Sequence, residues 1–254
     1  MNVLLIARNT FREATRDRML AGVLGAGALL LGVTQILGPL AMGEGRRLTI
    51  DLGLSGISLL GLLVVLLVGT SLVAKELERR TIFNLLSRPI SRPSYLVGKW
   101  VGLSATLWIV ALGMGFALCA LLAARGDGAF VPGVLQAMAL AGLELMVMTS
   151  LAVLCSSLST PLLSALYTLG FYVVGQWSYD LRAFAAKVPG VLRGMLEVTA
   201  NLAPNLPLFN ARTLASGGHA TSWEHLGIAL AYAIVYSGCV LCLAAAAFES
   251  RDFK

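Results

Sequence analysis

Residues 52–74 read LGLSGISLLGLLVVLLVGTSLVA, and residues 75–93 read KELERRTIFNLLSRPISRP. The first stretch carries no charge and is long enough to cross a hydrocarbon layer, which takes roughly 20 residues of helix. The second is the most charged stretch of the chain, yet it keeps the apolar Leu77, Ile82, Phe83, Leu85 and Leu86. An uncharged run that breaks abruptly into mixed charge reads as a transmembrane helix leaving the bilayer. The apolar run is therefore read as a helical span.

Working outward, five more spans are expected, near Met19–Met42, Tyr95–Ala123, Val134–Leu154, Leu162–Tyr179 and Trp223–Phe248. The composition agrees: 57% of residues are hydrophobic and 13% charged, against about 45–50% and about 25% in soluble domains. The expected fold is an all-α membrane protein of six transmembrane helices, organised as one transmembrane domain over residues 1–254. The net charge of +6 sits in short stretches beside apolar blocks, which marks topology determinants and not nucleic-acid binding. No cleaved signal peptide is expected. Cys119, Cys155, Cys239 and Cys242 all fall in apolar blocks and read as small buried hydrophobes.

Lys and Arg set the orientation. With the N-terminus inside, cytoplasmic segments hold about twelve of the nineteen basic residues, so both termini are expected in the cytoplasm. Residues 1–18 combine Arg8, Arg12, Arg16 and Arg18 with apolar residues at helical spacing. They read as an interfacial helix, the alternative being a solvated extension of the first span. Residues 180–222 form a long segment before the last span. In it, Val188, Val191, Leu192, Met195, Val198 and Leu202 predict an outer amphipathic helix, ended by Pro204 and Pro207. It is either a plain lid or part of an exit.

Residues 75–93 fit a short helix with an apolar stripe up to Ser87, stopped by Pro89 and Pro93. The order Glu76, Glu78, Arg79, Arg80, Thr81, Leu85, Leu86, Ser87, Arg88, Pro89, Ile90, Ser91, Arg92, then Gly98 and Lys99, resembles the cytoplasmic loop of the type-2 ABC transporter permease family, especially its nitrous-oxide-maturation-like (NosY-like) branch. Arg80 stands where many relatives have Gly. Asn9–Glu13 with Arg16–Arg18, Pro204-Asn205-Leu206 with Phe209-Asn210, and Phe248 with Arg251-Asp252 are similar to other parts of that family. The resemblance is specific mainly in residues 74–99.

The resemblance implies a permease subunit of an ATP-driven exporter-type complex in a prokaryotic cytoplasmic (inner) membrane. The loop would be a coupling helix seated on a separate ABC ATPase through Glu76, Glu78, Arg79, Thr81, Phe83, Leu85, Leu86 and Arg88. ATP and Mg would bind in that partner, since this chain has no G-x-x-x-x-G-K-[ST] loop, and no enzyme activity or cofactor is expected of it. A second permease copy and membrane lipid are the other expected partners. The alternative is a non-transport anchor or mechanotransducer driven by the same ATPase. Polar residues within spans are few, which argues against a large hydrophilic substrate.

Weaker signals remain. Glu144 is the one acid well inside a span. It is expected to face the bundle interior and to hydrogen-bond a Ser, Thr or backbone group of an adjacent helix, as a structural group or as a proton or substrate contact. Apart from Lys99 near the start of one span, no basic residue lies inside a span to pair with it. Gly53-Leu54-Ser55-Gly56 matches an intramembrane-protease motif, which would need a His such as His219 or His225. Small residues also serve helix contacts in membranes. His219, Glu224 and His225 lack metal-ligand spacing, and no metal site is expected.

Overall fold

A computed structural model describes residues 3–41, 43–70 and 92–249 of the chain, all-helical among these residues. Helix α1 is Val3–Arg16. It buries Ile6, Ala7, Thr10 and Ala14, which recur at helical spacing, while Arg8, Arg12 and Arg16 lie one turn apart on its exposed face. Asp17 accepts the Met19 N–H at 3.0 Å and caps α2, Arg18–Leu40. Helix α3, Gly45–Val64, continues through a π turn at Val65–Gly69. Helix α4 is Arg92–Ala124, and a 3-10 turn leads into α5, Val131–Leu158. Helix α6, Pro161–Gln176, opens on a proline, whose missing N–H costs nothing in a first turn. Then come α7 (Ser178–Ala185), α8 (Val191–Leu202), a 3-10 turn at Leu206–Phe209, α9 (Arg212–Ser216) and α10 (Trp223–Glu249).

Among the described residues, five helices are long and apolar enough to cross a membrane: Arg18–Gly38, Gly45–Gly69, Pro93–Ala124, Gly128–Leu158 and Trp223–Ala247. The expectation was six. At the place of the fifth expected span, α6 has 16 residues, about 24 Å of helix against a core of about 30 Å. It stops where Gly175 meets the chain coming back from α8: a Cβ on Gly175 would lie 2.9 Å from the Pro204 carbonyl oxygen. The direction then changes at Trp177 and α7 begins.

Helix α5 is the axis of the bundle. Of its apolar window 83% is buried, against 28% for α2 and 33% for α10, and it packs on α3, α4, α6 and α10. The outer helices turn Leu29, Ile36, Val235 and Leu243 outward. Exposed apolar side chains on this scale would be unfavourable in water by about 25 cal/mol per Å², and they fit a bilayer. Cys119 and Cys155 are buried as expected, but Cys239 and Cys242 are exposed on α10. The face they occupy is itself apolar, and a thiol is tolerated there.

Helix α4 has 33 residues, about 50 Å. It is longer than the hydrocarbon layer, and α1 packs along its first turns. Contact is close because Gly98 and Gly102 lack side chains. A Cβ on Gly98 would meet Ile6 Cβ at 2.7 Å, and one on Gly102 would meet the Ala7 carbonyl oxygen at 2.5 Å. Spaced four apart, the two glycines let the helix backbones approach as small residues do in membranes. Helix α1 defines the near side of the bundle, and the turn at Arg125–Phe130 lies on the far side.

Candidate functional site

Glu144, halfway along α5, is 4% exposed. Both carboxyl oxygens accept hydrogen bonds: Ser58 Oγ of α3 donates to Oε2 at 3.1 Å, and Gln176 Nε2, at the end of α6, donates to Oε1 at 2.6 Å. Arg212, the first residue of α9, donates from Nη1 to Ser55 Oγ at 3.1 Å. Ser55 lies three residues before Ser58, on the same face of α3. The Arg212 charge acts on Glu144 through space, and Tyr172 interacts with both Gln176 and Arg212. The centre therefore joins α3, α5, α6 and α9. An ionised carboxylate inside a membrane is unfavourable by several kcal/mol when alone; two donors and a nearby guanidinium offset that cost.

The expected hydroxyl partner of Glu144 is Ser58. Gln176 was not expected, and neither was the nearby charge of Arg212. It comes from outside the long helices, in residues 203–216, which turn back onto the bundle from the far side. Leu206, Phe209, Ala211 and Ala215 of this stretch are buried. Its signal in the sequence is Pro204 and Pro207 breaking a short apolar run that is too short to span. Irregular backbone at membrane depth is tolerated where protein surrounds it.

The stretch is held from several sides. The Asn205 N–H donates to Tyr232 Oη at 2.8 Å, and Ser178 Oγ donates to Asn205 Oδ1 at 3.2 Å. Tyr236 Oη donates to the Leu202 carbonyl at 3.2 Å, and His225 Nε2 lies 2.9 Å from the Leu208 carbonyl. With His225 so placed and Ser55 held by Arg212, no serine–histidine pair forms at Ser55 among the described residues. At the edge of the far side Arg125 donates to Thr49 Oγ1 at 3.2 Å and to Gln35, while Arg46 lies 3.4 Å from Asp127 and over the Phe130 ring.

On the near side, Glu76, Glu78, Arg79, Thr81, Phe83, Leu85, Leu86 and Arg88 lie outside the described residues. The Gly-Lys that follows the loop is described. Gly98 admits Ile6, and Lys99, 3% exposed, places Nζ 3.9 Å from Glu13 Oε2 and 5.7 Å from the Tyr95 ring centroid. These two residues dock α1 on α4.

Long apolar helices around one buried polar centre, with a second stretch of chain folded back over it, define a multi-pass membrane protein. The chain belongs to the ABC-2 family transporter proteins, whose family model matches residues 4–253. Membership makes it a membrane-spanning permease subunit of an ABC transporter, a class that works with an ABC ATPase. No curated protein matches the chain.

Proposed function

We propose that this chain is the permease of an exporter-type complex in a prokaryotic inner membrane, that it pairs with a second copy of itself, and that it draws on ATP and Mg bound by a separate ATPase. It belongs in this reading to the nitrous-oxide-maturation-like branch, on the strength of residues 74–99. Residues 75–93 are the coupling element and face the cytoplasm, as do both termini. The chain then crosses six times, with the short α6 as the fifth crossing. That places α1 at the cytoplasmic interface and residues 203–216 at the outer end.

One observation carries the mechanism: a buried polar centre ties the outer stretch to three helices of the bundle through Arg212, Ser55, Ser58, Glu144 and Gln176. Alternating access requires an outer contact that forms and breaks as elements rock about a central site. A hydrogen-bonded centre is suited to this, because its bonds exchange with water when the outer end opens, whereas an apolar seal would be exposed at a cost.

A second observation bears on the cargo. The buried hydroxyls of Thr149, Ser150, Ser156, Ser157 and Thr168 donate to carbonyls of their own helices. Satisfied in this way, they do not line a hydrophilic path. This favours an amphipathic or lipid-like cargo, or the purely mechanical role in which the ATPase drives a conformational change without transport.

The test is co-purification with an ABC ATPase co-expressed with the chain. Phe83→Asp with Leu86→Asp should abolish the complex while the permease keeps its thermal midpoint. A complex that survives both changes overturns the docking assignment.

A further inference from the structure

Between α1 and α4 the surface opens into an apolar groove of about 1030 Å³. Phe11, Val101, Ala105, Trp108 and Ile109 line it, and Arg8 stands at its rim. Trp108 is partly buried, its ring lying against Gly142 of α5. Arg8 and Arg12 are exposed, one turn apart on α1, and neither forms an ion pair among the described residues. Glu13, the acid beside them, is engaged by Lys99. Arg8 thus lines the apolar trough, and Arg12, one turn on, continues the positive edge of the helix beside it.

We infer that this groove binds one anionic glycerophospholipid of the cytoplasmic leaflet, with an acyl chain along Ala105, Trp108 and Ile109 and the phosphate on Arg8 and Arg12. Two features of the surface select this occupant. From Val101 to Ile109 the trough runs about 12 Å along α4, close to the roughly 15 Å that one leaflet contributes to the hydrocarbon core. The two arginines supply forked donors that match a phosphate, and a basic pair beside an interfacial helix favours anionic over zwitterionic headgroups. A second protein chain would need acidic groups opposite Arg8 and Arg12 and a ridge to fill the trough. A lipid has both features in one molecule.

The inference rests on the placement of α1 at the cytoplasmic interface and not on ATPase coupling, so the two are separable. The experiment uses the full chain with Trp108 as its one tryptophan (Trp100→Phe, Trp177→Phe, Trp223→Phe), in phosphatidylcholine vesicles doped with brominated phosphatidylglycerol or brominated phosphatidylcholine. Brominated phosphatidylglycerol is expected to quench Trp108 at a mole fraction lower by roughly fivefold per arginine engaged. Arg8→Gln with Arg12→Gln should abolish that preference, and Arg8→Lys with Arg12→Lys should keep most of it, which separates headgroup binding from misfolding. Equal quenching by both lipids means unselected bulk lipid and overturns the inference. Quenching by neither means that protein, such as a second copy, covers the groove, and overturns it as well. The Phe83→Asp, Leu86→Asp variant should keep the lipid preference whether or not it still binds an ATPase, so failure of the coupling assignment leaves this result readable.

Discussion

The side-chain amide of Gln176 donates to the Glu144 carboxylate across 2.6 Å, joining the last residue of α6 to the midpoint of α5. A helix that ended earlier would leave that carboxyl oxygen without this donor. One face of the last turn of α6 is bare at Gly175, where a Cβ would lie 2.9 Å from the Pro204 carbonyl oxygen. The length of α6 is thereby matched to the polar centre.

Replacing Glu144 separates charge from hydrogen bonding. In Glu144→Gln the amide oxygen can still accept from Gln176, and the Ser58 hydroxyl can rotate to accept from the new NH2. Assembly and thermal midpoint should stay near wild type. Glu144→Leu strands two donors, at a cost of about 1–3 kcal/mol, read as a lower midpoint in detergent. If the Gln variant assembles normally but loses ATP-driven activity, the carboxylate carries a proton or touches cargo. Equal stability of the Leu variant would mean that the bonds contribute nothing.

Arg212 should control access from the far side. Ala211 is 2% exposed, so a cysteine at Ala211→Cys should react slowly with a membrane-impermeant thiol reagent. Adding Arg212→Gln releases Ser55 and should speed labelling by at least about tenfold, the effect of losing roughly 1.4 kcal/mol of closure. Arg212→Lys keeps charge but loses the fork and should fall between. Unchanged labelling in Arg212→Gln would show that the apolar contacts of Leu206 and Phe209 hold the stretch unaided.

Crossing number can be read with reporters. One fused after Lys254 should lie in the cytoplasm, and one inserted at Gly126 outside. Gly126 has φ +84° in an exposed turn and tolerates insertion. If α6 dips in and returns without crossing, the Lys254 reporter appears outside while the N-terminus stays inside.

Gly102→Leu should displace α1. The added side chain meets the Ala7 carbonyl oxygen and Thr10, and overpacking of this kind costs about 1–3 kcal/mol. A lower thermal midpoint is expected, together with faster labelling of a cysteine placed at Ala14→Cys, a position 1% exposed in α1. An unaltered midpoint would mean that α1 is loosely held.

Much of this was legible in the sequence because span length and apolarity are local properties. The uncharged run at 52–74 needed no partner to be read, and neither did the apolar spacing that runs through Ile6, Ala7 and Ala14; the buried Thr10 was not part of that pattern. Helix α6 ends at Gln176, three residues short of the expected Tyr179, next to Gly175, which lies close to the Pro204 carbonyl some thirty residues away. Glu144 was visible as an isolated acid. Arg212 was not, since its approach depends on how residues 203–216 fold back, and that is fixed by distant groups such as Tyr232 and Ser178. The close passage of α1 over Gly98 and Gly102 was likewise invisible until the two helices were placed together.

Helix α4 runs unbroken from Arg92 to Ala124 with no proline after Pro93. Its first residues adjoin the 75–93 loop, and just past its last turn Arg125 grips Gln35 of α2 and Thr49 of α3. A rod of about 50 Å does not absorb a displacement applied at one end. A thrust delivered beside Arg92 arrives as motion at Arg125, and the two helices tethered there must follow it. The opposite faces of this protein are joined by a stiff strut, with no chain of intermediate contacts needed to relay the movement.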